Sequence, residues 1–353
     1  MRTDRQLINR FQPSHRDLTL IAVLSAILFL SIRLFDGHTT DVITLFLYIA
    51  LAESWNLIGG YGGYASLGQV AFFGFGGYIL GLLMVDFGFP FWLALLASGV
   101  IAAAYAGFLG LPLLRLRGPY FSIATLVAAE ATRALITWWI GATRVSGLTI
   151  TTVGLHQPMH YPTPMEFLIL FAALAIFSVL LVSIVARSRH GYALVLIREN
   201  ESLAPALGIN ARVIKVAAFT VSGLIAGLAG GIEAFQEIIL NPNQLFDPRL
   251  TVLMVAIVVV GGAGTALGPV YGALIITALT SLIKLGAPSA HNLTIAIVII
   301  VGVLVSQGTL SSLVQPSTYL ETKLKHPRTN GRFPKQESWD QGIENNEQYL
   351  SEK

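Results

Sequence analysis

Long apolar blocks separated by short polar or glycine-rich breaks set the pattern of this chain. A bilayer's hydrocarbon core takes ~20 apolar residues per helix. On that ruler the sequence predicts about ten spans, at 17–35, 41–59, 66–85, 91–114, 119–140, 165–186, 214–236, 250–263, 267–285 and 291–310. Two stretches strain the pattern. Segment 61–81, YGGYASLGQVAFFGFGGYILG, holds enough glycine to predict a broken or re-entrant third helix, which a bilayer tolerates only where the backbone faces protein or water. Segment 250–268 is short before GGAGTALGP, so a count of eight or nine also fits.

Composition agrees with this all-α, polytopic membrane reading. Hydrophobic residues make up 54% of the 353 and charged residues 12%, with a mean hydropathy of +0.69, whereas an ordinary soluble domain carries roughly 25% charged residues. There is no cysteine, which removes disulfide frameworks and Cys-based metal or redox sites. The basic start, 1–16, precedes an apolar run that lacks a small-residue cleavage site and is long enough to span, so it reads as a cytoplasmic segment before a retained first helix. The transmembrane domain then covers 17–310, and the polar stretch 311–353 reads as a disordered cytoplasmic tail.

Lys and Arg place the loops, since positive loops stay in the cytoplasm. Arg2, Arg5, Arg10 and Arg16 precede the first span, and Arg115 and Arg117 follow the fourth. Arg187, Arg189, Arg198, Arg212 and Lys215 lie between the sixth and seventh, and Lys323, Lys325, Arg328, Arg332 and Lys335 follow the tenth. Ten spans put all four clusters on one side, with both termini cytoplasmic in a bacterial inner membrane. The pI of about 9.1 is this bias itself and calls for no nucleic-acid partner.

No G-x-x-x-x-G-K-[ST] phosphate loop occurs, so ATP binding by that route is excluded. Neither an H-E-x-x-H pair nor a G-x-S-x-G elbow is present, and no catalytic residues or metal ligands are assigned. GGAGTALG (261–268) has the small residues of close helix packing without a soluble βα context. His156 and His160, four apart, are interrupted by Gln157-Pro158 and read as a solvated loop. Trp138 and Trp139 read as interfacial anchors.

The polar island 187–215, RSRHGYALVLIRENESLAPALGINARVIK, stands out between two apolar spans. Ala193, Leu194, Ile197, Leu203 and Leu207 form an apolar stripe, with Arg198, Glu199 and Glu201 polar. Pro205 splits the segment, because proline costs ~3 kcal/mol inside a helix. The block RHGYALVLIRENESLAPALGIN (189–210), followed by K-x-x-A-F-x-x-S-G-x-x-A-G-L-A-G-G, resembles the cytoplasmic loop and next helix of LivM-type permeases of branched-chain amino acid ABC importers. SWNLIGGYGGYASLGQVAFFGFGGY (54–78), LRGPYFSIATLVAAEATR (116–133) and VVVGGAGTALGPVYGALI (258–275) resemble further signature segments of that family, in order, over residues 45–310.

The resemblance implies a permease that pairs with a homologous second permease in a heterodimer. It also implies two ATP-binding subunits, which use ATP and Mg, and an extracytoplasmic substrate-binding protein. The chain itself would bind no cofactor. In this family a coupling helix fits a groove of the ATPase, which assigns that contact here to Tyr192, Leu194, Ile197, Arg198, Glu199, Glu201, Leu207 and Gly208. The chain departs from the general importer form, Glu-Ala-Ala followed by glycine, having ENESLAPALG instead.

Glycines over 59–81 cost ~1 kcal/mol each inside a helix and so mark either close packing or an irregular backbone lining the path of a zwitterion. Ser66 and Gln69 would add side-chain hydrogen bonds to that path. Charge inside a span costs about 2.5–3.5 kcal/mol, which makes Glu53 and Glu130 candidates, although Arg133, three residues on, could pair with Glu130. Asn56 and Tyr120, from two signature segments, complete the candidate set. Glu233 falls near the outer end of the seventh span, where an external loop would meet a binding protein.

The expected function is ATP-driven import of neutral or branched-chain amino acids, with urea or a short amide as the alternative solute. A secondary carrier, with Glu53, Glu130 or Glu233 moving protons, is a reading from another class.

Overall fold

The computed structural model describes residues 39–143, 148–149, 162–237 and 239–286. The expected first and tenth spans and the tail lie outside them. Helix α1 (Thr39–Trp55) runs on as one π-helical turn, Asn56–Tyr61, before α2 (Gln69–Val85), α3 (Phe91–Leu113) and α4 (Pro119–Thr143). A short strand β1 (Leu148–Thr149) leads towards α5 (Pro164–Arg187) and α6 (Arg189–Asn200). Two 3-10 turns, Glu201–Leu203 and Pro205–Leu207, connect to α7 (Ala211–Glu237). Strand β2 (Ile239–Leu240), α8 (Pro242–Leu245), α9 (Pro248–Gly261) and α10 (Gly268–Gly286) complete the order. The two strands pair antiparallel, Leu148 opposite Leu240.

Among the described residues, six helical stretches are long and apolar enough to cross a membrane: Thr40–Tyr61, Phe91–Leu113, Pro119–Ile140, Pro164–Arg187, Ala211–Glu237 and Pro242–Gly261. Gln69–Val85 and Gly268–Thr280 are apolar but shorter, and they occupy the expected third and ninth spans. The short eighth span reaches crossing length only by joining α8 to α9.

Local chemistry explains the ends. Thr163 and Glu166 form a reciprocal capping box at α5 with Pro164 in the first turn, and Asp247 caps α9 ahead of Pro248. Ser188 separates α5 from α6 and accepts from the amides of His190 and Gly191. A side chain at Gly191 would run into the Val185 and Ala186 carbonyls, so the tight reversal requires glycine there.

Helix α7 is the centre of the bundle and packs on α2 and α3 through small residues. Gly223 faces Ala106, Gly227 faces Ala102, and Gly230 lies against the Phe73 carbonyl, while Gly76 and Gly77 of α2 meet Gly227 and Gly230. In lipid, where apolar side chains gain little by associating, such close backbone approach is what holds helices together. Packing is thus what the glycines at 74, 76 and 77 serve. The chain break expected within the third helix comes before it, at 62–68, and α2 is continuous.

Candidate functional site

Three parts of the chain meet where the basic loops gather: the π turn and linker 56–68, the end of α6, and the 262–267 turn. In the π turn Asn56 reaches across, accepting from the Gly264 amide at 2.9 Å and donating to the Thr265 carbonyl at 2.9 Å. Buried irregular backbone must find partners inside the protein, and the linker finds them in side chains. Trp55 donates to the Ser66 carbonyl at 2.7 Å, Ser122 donates to the Ala65 carbonyl at 2.6 Å, and Thr125 accepts from the Leu67 amide at 3.0 Å. Arg198 Nη1 donates to the Gly60 carbonyl at 2.7 Å. These four backbone groups therefore have partners within the protein.

A second network sits one step further along. The buried Lys215 ammonium donates to Glu201 Oε1 at 2.8 Å, to the Tyr64 hydroxyl at 2.9 Å and to the Leu114 carbonyl at 3.1 Å, using all three of its donors. Tyr64 in turn donates to Glu201 Oε2 at 2.8 Å, and Arg117 Nε approaches that oxygen at 3.3 Å. Burial raises the Glu201 carboxyl, but the hydrogen bonds from Lys215 and Tyr64, with the charges of Lys215 and Arg117, outweigh it and hold the pKa below its ordinary value. Burial pushes the Tyr64 hydroxyl up. The network ties α7, the end of α3, the linker and the segment after α6 into one staple. Lys215 and Arg117 were legible only as basic loop residues, and their partners come from distant parts of the chain.

The island 187–215 does contain a helix, but its faces differ from the expected stripe. Ala193, Leu194 and Ile197 are buried against the bundle, whereas Leu203 and Leu207 are exposed, so the five do not form one continuous face. Arg198 and Glu201, expected on the solvated side, turn inward to the carbonyl of Gly60 and the ammonium of Lys215. The physical reason is that a buried cation and a carbonyl freed by the π turn cost more unpaired than two polar side chains cost to turn in. What remains outward is Tyr192 (71% exposed), Val195, Glu199, Leu203 and Leu207 (64% exposed), with Gly208 in the left-handed region at φ 71°. The helix ends at Asn200, ahead of Pro205, which opens the second 3-10 turn.

The six candidate pathway residues are likewise scattered. Gln69 lies at the crossing of α1, α2 and α7, where its amide donates to both Ser54 and Ser222, each of which donates to the other's carbonyl at 2.8 Å. Glu53 is fully buried, and Asn56 Nδ2 stands 3.5 Å from its Oε2. Ser66 is buried in the linker, and Tyr120 is 74% exposed on α4. Glu130 pairs with Arg133 at 2.7 Å, and Arg133 also donates to Asn243 of α8 at 2.8 Å. The six do not converge on one cavity.

Two cavities of about 800 Å³ each are lined by other residues. The first, at the basic end, lies between the linker 62–65, the start of α4 and the end of α6, with Arg117, Arg198 and Glu201 in its wall. The second is bounded by the first half of α1, Phe73 of α2, the end of α7, α8 and the start of α9, and includes Glu233, Glu237, Asp247 and Arg249.

The family model for the branched-chain amino acid transport system permease component matches residues 39–305. The chain belongs to that family. As a family member with six membrane-capable helices it is a membrane protein. It is 29% identical over 274 residues to the high-affinity branched-chain amino acid transport system permease protein LivM of Escherichia coli, covering 70% of this chain and 64% of that one. The LivM of Salmonella typhimurium matches at 28% over the same shares. The chain thus spans a little under two thirds of the LivM relatives. It is also 30% identical to the autoinducer 2 import system permease protein LsrC of Klebsiella pneumoniae, over 69% of this chain and 71% of that one. No solved structure matches. The match starts where the described residues start, and it contains both networks and both cavities. The LivM and LsrC relatives are permease proteins by name.

Proposed function

We propose that this chain is the membrane permease of an ABC importer for branched-chain or other neutral amino acids. ATP would be hydrolysed by two separate subunits, substrate delivered by an extracytoplasmic binding protein, and the pore completed by a homologous second permease. The observation that carries the reading is the α6 segment. It is a short helix with two following 3-10 turns, fastened to the bundle by Leu194, Ile197, Arg198 and Glu201, with Tyr192 and Val195 of the helix and Leu203 and Leu207 of the turns outward. An exposed apolar face on a rigidly held cytoplasmic helix is suited to a groove in a partner, and its fastening lets a push reach the linker. The Lys/Arg bias makes this end cytoplasmic.

The LsrC relative is named for autoinducer 2 import, which supports a second reading in which the solute is not an amino acid. Uptake of labelled leucine, alanine, proline and urea by cells expressing the chain with and without its ATPase and binding-protein partners tests both readings. Leucine uptake that needs both partners and ATP is expected. Uptake by the lone chain that collapses with the proton gradient would instead establish a secondary carrier.

A further inference from the structure

The cavity at the end remote from α6 is layered. Its floor is apolar and buried, formed by Leu47 of α1, Phe73 of α2, Leu245 of α8 and Leu253 of α9. Half-buried Thr44, Tyr48 and Glu233 stand above the floor, and exposed Asn241, Gln244, Glu237 and Arg249 form the rim. At about 800 Å³ it falls within the usual range for small-molecule sites, about 300–1,000 Å³.

Glu233 is the unusual member. It sits one turn inside the end of α7, in a helix of membrane-crossing length, yet it makes no hydrogen bond or ion pair with another described residue. Glu130 by contrast has Arg133, and Glu201 has Lys215, while Glu53, which also has no ion pair with a described residue, is fully buried and lines neither cavity. Glu237, four residues on, places a second carboxylate on the same helical face and lines the same cavity, a like-charge spacing that weakens a helix by a few tenths of a kcal/mol. Neither carboxylate is paired with another described residue. Both face a space whose floor accepts a branched aliphatic group and whose rim carries a guanidinium.

Resting on the importer reading above, we propose that this cavity is the permease's own entry site for an α-amino acid. The Glu233 carboxylate takes the ammonium, Arg249 at the rim takes the carboxylate, and Leu47, Phe73, Leu245 and Leu253 receive the side chain. A charge-assisted hydrogen bond to a half-buried carboxylate is stronger than a neutral one, so the site selects amine-bearing solutes over uncharged ones. This is the discrimination that separates a leucine carrier from a carrier of urea or another neutral solute.

The test uses the complete transporter in proteoliposomes, with binding protein and ATP, and L-leucine, L-alanine and urea as probes. Glu233→Gln, which keeps shape and removes charge, should raise KM for leucine by about tenfold with a much smaller change in kcat. Glu233→Asp, which keeps the charge, should recover most of the loss. Unchanged KM in Glu233→Gln, with leucine still transported, overturns the entry site and leaves the importer reading standing. A KM rise traced to weaker docking of the binding protein, measured separately, also overturns it, because Glu233 would then be a docking residue. Wild-type transport of urea alone, or of no probe, overturns both.

Discussion

Arg198 Nη1 lies 2.7 Å from the carbonyl oxygen of Gly60, 138 residues away, and so joins α6 directly to the π turn at the end of α1. The same guanidinium lies beside the 262–267 turn, since a side chain at Gly264 would come within 3.0 Å of Nη1. Asn56 completes the joint by clasping that turn from the other side. Helix α6 is thus tied to the π turn and, through Arg198 and Asn56, to the 262–267 turn.

Arg198→Ala should leave the chain in the membrane but loosen this joint. A hydrogen bond to a charged group contributes about 1.5–3 kcal/mol. Leucine uptake in the complete transporter should fall by about tenfold or more while its ATP hydrolysis continues. An unchanged ratio of solute moved to ATP consumed in that variant sinks the role given to the joint.

The Lys215–Glu201 pair should be strongly coupled. Lys215→Met removes the cation from Glu201, leaving it only Tyr64 and the exposed Arg117, and frees the Leu114 carbonyl; breaking a mostly buried pair costs about 3–5 kcal/mol. Lys215→Met with Glu201→Gln should cost less than the two single changes summed. Thermal unfolding in detergent reads both, and simple additivity would argue that the staple carries no coupling.

Acid should release the same staple. The Glu201 pKa is lowered in the fold, so its contribution is complete above the unfolded Glu value of about 4.3 and is lost as pH falls through the lower folded value. Wild type should lose stability more steeply than Glu201→Gln as pH drops below about 4.3. Parallel profiles for the two proteins would contradict the staple.

The two faces of α6 should separate by readout. Leu194→Ala removes a buried side chain and should destabilise the chain by about 2–5 kcal/mol. Leu207→Asp, on an exposed turn, should leave unfolding nearly unchanged but lower retention of the ATPase subunits in pull-down from solubilised membranes. Retention equal to wild type places the ATPase contact elsewhere.

Gly230→Val tests the small-residue seam. The Phe73 carbonyl occupies the space that a Cβ would need, and overpacking typically costs 1–3 kcal/mol. Lower thermal stability and lower membrane yield are expected, and a variant as stable as wild type would show that α2 and α7 do not meet this closely.

Much of the fold is legible from apolar runs alone, because in a bilayer the length of an apolar block nearly fixes the helix. The predicted limits 91–114 and 165–186 became Phe91–Leu113 and Pro164–Arg187. The Glu130–Arg133 pair was legible too, since three-residue spacing puts both on one helical face. The site was less so. Glu53, Asn56, Ser66, Gln69 and Glu130 stand out in a sequence because polar groups are costly in a span, but that cost is as easily met by a structural partner as by a solute. Asn56 finds the 262–267 turn, and Gln69 finds Ser54 and Ser222.

The sequence by itself thus determined the membrane class, the helical blocks, the basic end and the family's signature segments, because those are properties of local composition and order. Only the tertiary structure decided which face of α6 turns inward, that Arg198 serves Gly60, that Lys215 and Glu201 close a staple, and that Glu233 opens on a cavity. Each of these depends on residues far apart in the chain meeting in a medium where an unpaired polar group is expensive, and no periodicity along one segment encodes its distant partner.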